Sequence, residues 1–580
     1  MKSDYIIRSS LPPIEYPNIS LGEYFINALK ARHPDTIAII DPKSGVTISY
    51  GELHAKASQF ALVLVKLGVT SSDLVMFFAD NSIEYVVALY GAAYLGAVTL
   101  TQSKPANGAY EMAQQLLDSK ATVLVFGNQQ VPVVHKALNS PEYSSAVQQL
   151  KLFVQLSNSQ KGVDDQLQNS ETLRGKKLLS FGEICNQWKS FKSQPQNLPT
   201  VPYFPVHNPA TDHALIVYTS GTSGQPKGAI HSHRSFIAGQ LNLRLPAHFE
   251  GFKLAMQYPL GHLSGTIFIP QAFDAGMTVV LFDDSALEPI LQAVDRYRIE
   301  VAFFTANVAS RLATEDFASL SLDLNCLKAF RYAGAKIADH LLKAIQTRFG
   351  GAELWNLYGS TEMVGTVVTV DRAQAGPEHF VPGSLGVVLP NIELKIADLE
   401  SGDQLVALPP GELGEICFRG PPCFLGYLNN EKATRETISQ EGWYRTGDVG
   451  YFDPASGCLF AADRLKELVK FRIWSVVPAE VEHFLLQKCA PAIAEVCVVG
   501  VPHLTDGQWL RAYVQRKKEG LPVEEAEVMN LVKQNMGFQK QLRAGVHFIS
   551  KMPRTAIGKI DRAYFRKLAQ QELLTDISED

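Results

Sequence analysis

Apolar runs of strand length alternate with helix-periodic stretches over most of the chain. Leu74–Phe78, Thr122–Phe126, Ala214–Tyr218, Thr278–Phe282 and Val301–Phe304 are nearly continuous in apolar residues, as strands buried on both faces are. Gly51–Leu67, Leu287–Tyr297 and Asp339–Phe349 carry the helical period between them. This alternation predicts α/β units around mainly parallel, doubly wound sheets. The most apolar segment, Tyr85–Thr101, falls short of a membrane span and contains Gly91 and Gly96, so it reads as a buried helix running into a strand.

The texture changes near Gly383. Ile392–Asp398 and Gly414–Arg419 are short and separated by Gly and Pro, with no long helix between them, which predicts antiparallel strands in a small barrel-like subdomain over about 370–463. After Asp463-Arg464, helical Pro478–Leu486 and Glu524–Asn535 alternate with strand-like Ile493–Val501 and Ala512–Gln515. The expected division is therefore a core over 1–463 and a small mobile α+β domain over 464–580. Gln155–Arg174 is polar and reads as a surface insertion.

Composition narrows the functional classes. The 580 residues require more than one domain, and a net charge of −5 gives no general attraction for nucleic acid or anionic membranes. The seven cysteines are scattered, with no CxxC pair or zinc spacing, so free thiols in a reducing compartment are expected. Met1–Pro13 lacks a signal-peptide apolar run, and Ile577–Asp580 is not a Ser-Lys-Leu address. A cytoplasmic protein without a transmembrane segment is expected; the sequence does not specify its oligomeric state.

The most informative chemistry lies in Tyr218–Gly228. An apolar strand enters a loop of Thr219, Ser220, Gly221, Thr222, Ser223 and Gly224, followed by Pro226-Lys227-Gly228 and a helical stretch beginning near Ser232. Gly221 and Gly224 allow positive φ, and small hydroxyl side chains and exposed N–H groups can donate to phosphate oxygens. Lys227 adds a point charge for β- and γ-phosphates. The GxxxxGK[ST] spacing of a P-loop is absent.

This loop resembles the signature loop of the adenylate-forming superfamily, which includes acyl- and aryl-CoA synthetases, peptide adenylation domains and beetle luciferases. Further matches follow in the family's order: Tyr358-Gly359-Ser360-Thr361-Glu362, Gly411–Gly420, Gly442–Asp448, Asp463–Glu467 and Pro553–Arg562, with a weaker early one at Ile48–Leu53. The resemblance covers nearly the whole chain.

It implies ATP, Mg²⁺ and coenzyme A as cosubstrates and cofactor, and a small carboxylic acid, fatty or aryl, as substrate. By resemblance, Glu362 holds the Mg²⁺ that bridges the ATP phosphates, and Thr361 binds the α-phosphate. Tyr358 and Gly359, with the turn at Gly334-Ala335, lie against adenine. Asp448 and Arg464 reach the ribose. Lys559 is the catalytic lysine of the small domain, and Lys466 matches the hinge about which that domain rotates. Lys470 is retained where luciferases have a lysine that assists oxidation. His262 closes over the carboxylate pocket, whose further lining is expected at Phe303, Phe304, Asn307, Tyr332, Gly334, Val364 and Gly365.

Two departures stand out. Lys336 replaces the usual proline after the Gly-Ala turn, and Arg472-Ile473-Trp474-Ser475 stands where the family has Lys-Gly-x-Gln at the pantetheine tunnel. The second bears on thioester formation and leaves adenylation untouched. Three readings follow: an AMP-forming acid–thiol ligase; an adenylating enzyme with a non-CoA second step, either luciferase-like oxygenation or transfer to a carrier protein; and a degenerate nucleotide-binding module.

Overall fold

The computed structural model describes residues 5–578, except 103–108, 157–163, 165–166, 168–172, 174–175, 193–205, 220–225, 246, 284–285, 316, 318–319, 334–336, 338, 371–380, 465–466, 472–473, 504–505, 537 and 555–559. Two large sheets and a smaller antiparallel one organise the chain up to Arg464. The eight-stranded sheet is parallel through Val98–Thr101, Leu74–Phe78, Val123–Gly127, Leu152–Leu156 and Lys177–Ser180, and His213–Thr219 joins it in parallel beside Val98–Thr101. The nine-stranded sheet is parallel from Ile37–Ile40 to Glu353–Ser360, with antiparallel strands at its ends.

One hydrophobic core fills the space between these sheets. It joins Val75, Phe77 and Val125 of the first to Leu254, Val301 and Trp355 of the second. Helix Ile83–Tyr94 lies in this layer and is buried almost all round, which accounts for the long apolar segment in the sequence. Helix Tyr50–Lys66 packs against it. The early Ile48–Leu53 match has a local cause: Ser49 caps this helix, and Ser49 and Glu52 form a reciprocal capping box, with bonds of 2.9 and 3.2 Å. A second core covers the outer face of the nine-stranded sheet, and a third that of the eight-stranded sheet.

The third sheet runs Ile7–Arg8, Glu393–Ala397, Gly414–Arg419, Tyr444–Asp453, Cys458–Arg464 and is antiparallel throughout. Its first strand comes from the extreme N-terminal region, which the sequence reading did not identify. Val387–Val388 lies within the expected subdomain span but pairs with Gly365–Thr369 of the nine-stranded sheet.

The C-terminal sheet orders Trp474–Val476, Val469–Phe471, Gly507–Arg516, Ile493–His503, with Val546–Ile549 parallel to Gly507–Arg516. Helices Pro478–Lys488 and Glu525–Asn535 sit where the periodicity predicts them. The polar stretch 155–174 lies largely outside the described residues. Within it, Gln155 and Leu156 end a buried strand, and Leu167 and Leu173 are buried in the core, so these positions are not surface. No helix among the described residues is long and apolar enough to cross a membrane. All seven cysteines are free thiols.

Candidate active site

The phosphate-loop candidate joins two antiparallel strands. His213–Thr219 pairs with Lys227–Ser232, with Thr219 opposite Lys227, so the loop is the tip of a hairpin. Ser232 then caps helix His233–Asn242. Ser220, Gly221, Thr222, Ser223 and Gly224 lie outside the described residues. Their frame is fixed: the Thr219 hydroxyl donates to the Lys227 carbonyl at 3.5 Å, and Lys227 Nζ stands 5.2 Å from the centre of the Tyr427 ring.

The Tyr358–Glu362 motif ends strand Glu353–Ser360 and enters a 3₁₀ turn, Thr361–Met363. The chain reverses through Val364 (φ 47°) and Gly365 (φ +85°) into Gly365–Thr369. A Cβ on Gly359 would fall on the Gly365 carbonyl oxygen, so the tight turn requires glycine there. This geometry projects Glu362 toward a pair of tyrosines. Tyr427 donates to Glu362 Oε1 at 2.7 Å, Tyr444 donates to Oε2 at 3.4 Å, and the Phe424 N–H donates to the Glu362 carbonyl at 2.7 Å. Lys227 and Glu362 thus converge on one tyrosine.

Tyr358 and Asp448 also meet. The Tyr358 hydroxyl donates to Asp448 Oδ2 at 2.6 Å. Asp448 follows Gly447 (φ +67°), and its N–H donates to the Thr446 hydroxyl, which donates to the Ile416 carbonyl at 2.7 Å. Beneath that turn, Arg445 Nη2 and Nε donate to Glu415 Oε2 at 2.8 and 3.0 Å. The Arg464 backbone pairs with Asp448 across the strands, which brings the two expected ribose-side residues to one place. The structure therefore gathers Tyr358 and Asp448 at one point and Lys227 and Glu362 at another, linked through Glu362 and Tyr358 of one motif.

Among the described residues, no group of three or more His, Cys, Asp or Glu side chains could hold a metal. That fits Mg²⁺ in this chemistry, because it commonly takes one or two carboxylates and completes its shell with water and substrate phosphates. Glu362 would supply such a carboxylate, with Lys227 beside the same Tyr427 ring.

His262 caps helix Leu263–Asp274, its Nδ1 accepting from the Ser264 N–H at 3.1 Å. The residue is solvent-accessible, with protein atoms close around its ring. This desolvation lowers its pKa and favours the neutral imidazole. The same helix presses Ile267 toward Gly365, while Val364 packs against Gly239. Phe268 stacks on Phe303 at 4.0 Å, and the buried Arg331 guanidinium lies 4.5 Å from the Phe303 ring.

The expected acyl lining divides. Phe303, Val364 and Gly365 border the inner layer, whereas Phe304 and Tyr332 pack on the opposite face of the sheet with Phe330 and Leu354. Strand alternation is the cause: Phe303 and Phe304 are adjacent and must point to opposite faces. Gly334 and Ala335, with Lys336, lie outside the described residues, as does the side chain of Asn307.

In the C-terminal region, Lys559 and Lys466 lie outside the described residues, as do Arg472 and Ile473; the side chains of Arg464, Lys470, Trp474 and Ser475 are not described. The chain flanking Lys559 is pinned. Arg554 bridges to Ile560, and the Asp561 N–H donates to the Pro553 carbonyl at 2.9 Å. Sequence reasoning missed Tyr427 and Tyr444, whose only sequence signal is an aromatic residue beside glycine in Gly426-Tyr427 and near it in Gly442-Trp443-Tyr444. It also missed Arg331, an arginine inside an otherwise apolar strand.

Comparison with known proteins points to one family. The chain is 31% identical over 577 residues to 4-coumarate–CoA ligase 2 of Oryza sativa subsp. japonica, covering 97% of this chain and 95% of the relative. It is 30% identical to 4-coumarate–CoA ligase 1 of Petroselinum crispum, covering 97% of each. An anthranilate CoA ligase solved with anthranoyl-AMP superposes with a TM-score of 0.73 at 24% identity, covering 97% of this chain and 99% of that one. A fatty acyl CoA synthetase of Mycobacterium tuberculosis gives 0.71 at 22%, covering 95% and 98%. These two share the fold. The AMP-binding enzyme model matches residues 27–428 and its C-terminal-domain model residues 480–559, and with the site's geometry in place the chain belongs to the AMP-binding enzyme family of adenylate-forming enzymes.

Proposed function

We propose that this enzyme activates a carboxylic acid with ATP to an acyl-AMP and then transfers the acyl group to coenzyme A, releasing AMP. The observation that carries the reading is that Lys227 and Glu362 meet at Tyr427, while Tyr358, from the same motif as Glu362, meets Asp448. Lys227, Glu362, Tyr358 and Asp448 are of the kinds that phosphate, a divalent cation, adenine and ribose require. The relatives named 4-coumarate–CoA ligases favour an aryl-propenoic acid over a fatty acid as the substrate class.

In the first step the substrate carboxylate attacks the α-phosphorus in line and pyrophosphate leaves. No general base is required, because a carboxylic acid is already ionised near neutrality. Lys227 and the loop amides hold the leaving phosphates, and Lys559 stabilises charge on the α-phosphoryl oxygens. Thr361 binds the α-phosphate and Glu362 would hold Mg²⁺, which when bound would supply further neutralisation of the phosphate charge. Neutral His262 borders the carboxylate without adding charge. Much of the acceleration comes from aligning two anions that repel in solution.

In the second step the small domain, 464–580, swings about Lys466, withdraws Lys559 and admits the thiol. The thiol sulfur forms a bond to the acyl carbon, its proton is lost to solvent, and AMP departs. Arg472-Ile473-Trp474-Ser475 favours a second reading for this step alone, in which another acceptor replaces coenzyme A. Pyrophosphate exchange with a panel of aryl-propenoic and fatty acids tests the first step; thioester formation on adding coenzyme A tests the second. Exchange with no acid in the panel would defeat the substrate reading. Exchange without thioester would transfer the case to the second reading.

A further inference from the structure

We propose that Tyr427 is a positioning residue for adenylation: its hydroxyl fixes the Glu362 carboxylate relative to Lys227, so that metal ligand and phosphate-binding cation keep one spacing. The proposal rests on the reading of Glu362 as the Mg²⁺ ligand.

Tyr427 belongs to the two-residue strand Gly426–Tyr427 at the edge of the eight-stranded sheet. That strand runs antiparallel to Lys227–Ser232, with Tyr427 opposite Ala229. The Leu428 N–H donates to the Gly228 carbonyl and the Leu425 N–H to the Ile230 carbonyl, both at 2.8 Å. The tyrosine backbone is therefore locked to the strand that begins with Lys227. Its own N–H donates to the Thr434 hydroxyl at 2.9 Å, and its ring meets Phe424 edge-on at 4.9 Å. A side chain held this way at backbone and ring has little freedom left at its hydroxyl.

That hydroxyl meets Glu362, which arrives from the nine-stranded sheet, while Tyr444 reaches the other carboxylate oxygen from the barrel-like sheet. One carboxylate thus ties three sheets together. The two phenol hydroxyls donate to different oxygens of the one carboxylate. A carboxylate offers about four lone-pair sites, and two phenol bonds leave about two for a cation. Partners of this kind orient metal ligands, and their loss costs about ten- to a hundredfold in metal affinity.

Tyr427→Phe keeps the ring, its packing on Phe424 and its face toward Lys227, and removes only the hydroxyl. ATP affinity is measured by calorimetry on the full chain without acid, so that no turnover occurs, once with Mg²⁺ and once with EDTA. The expected result is an affinity about tenfold or more weaker with Mg²⁺ and unchanged in EDTA, with Glu362→Gln abolishing the Mg²⁺ effect. Equal weakening in both conditions would mark Tyr427 as merely structural and overturn the proposal, as would wild-type affinity in Mg²⁺. If Glu362→Gln keeps the full Mg²⁺ effect, the Glu362 reading fails and this proposal falls with it. If Glu362→Gln loses the effect and Tyr427→Phe does not, the positioning role alone fails.

Discussion

Replacing Glu415 by glutamine probes the base of the ribose-side turn. Glu415 is 3% exposed and accepts from Arg445 Nη2 at 2.8 Å, from Arg445 Nε at 3.0 Å and from the Gly447 N–H at 3.3 Å. The change swaps a charge for an amide of the same size, leaving Arg445 beside a neutral group. Breaking a fully buried pair costs about 3–5 kcal/mol. Here the Arg445 side chain keeps 23% of its surface in solvent and retains Asp403 at 3.3 Å. Asp403 is fully exposed and contributes little. The net loss should be about 2 kcal/mol, below the fully buried range because solvent reaches the arginine. Urea unfolding of wild type, Glu415→Gln, Arg445→Leu and the double variant should give a coupling energy of about 1–2 kcal/mol. The ATP KM in pyrophosphate exchange should rise as well, because Asp448 stands on the turn that Glu415 fastens. A coupling under about 0.5 kcal/mol together with an unchanged KM would refute the reasoning.

Three other outcomes are expected. His231 is fully buried and its pKa is lowered to about 3 by desolvation, so the unfolded chain takes up its proton first as pH falls. Stability is then fully present above about pH 6.5 and is lost toward pH 3; His231 alone should remove about 2 kcal/mol at pH 5, and urea midpoints should show a shallower acid slope in His231→Leu. Lys559→Ala should lower adenylation by roughly two or more powers of ten while largely sparing thioester formation from supplied acyl-AMP; equal loss in both half-reactions would remove the lysine from its role. Asp448→Asn should raise the ATP KM about ten- to a hundredfold, and the penalty should shrink when 2′-deoxy-ATP replaces ATP if the carboxylate reads the ribose.

The parallel strands were legible because burial on both faces leaves a nearly unbroken apolar run. Val301–Thr305 and Leu74–Phe78 appear within a residue of their expected bounds. The helix Tyr50–Lys66 was legible from its period, and its cap is written in Ser49 and Glu52. The strand Ile7–Arg8 was not, since two residues carry no period and its partner lies far along the chain. Within the site, glycine spacing marked the turns at Gly359 and Gly447. The facing of Phe304 and Tyr332 escaped because a list of nearby apolar residues ignores the two-residue alternation of a strand. Tyr427 and Tyr444 escaped for another reason: their value lies in a shared partner, and shared partners between distant segments are invisible in one dimension.

The first strand has a consequence for synthesis. Ile7–Arg8 finds its partner only at Glu393–Leu394, and Arg8 Nε donates to Glu393 across 385 residues of chain. At about 5–20 residues per second on the ribosome, that partner emerges roughly 20–80 seconds later. For that interval the leading segment trails from the nascent chain with its pairing edge unclaimed, open to chaperones or proteases.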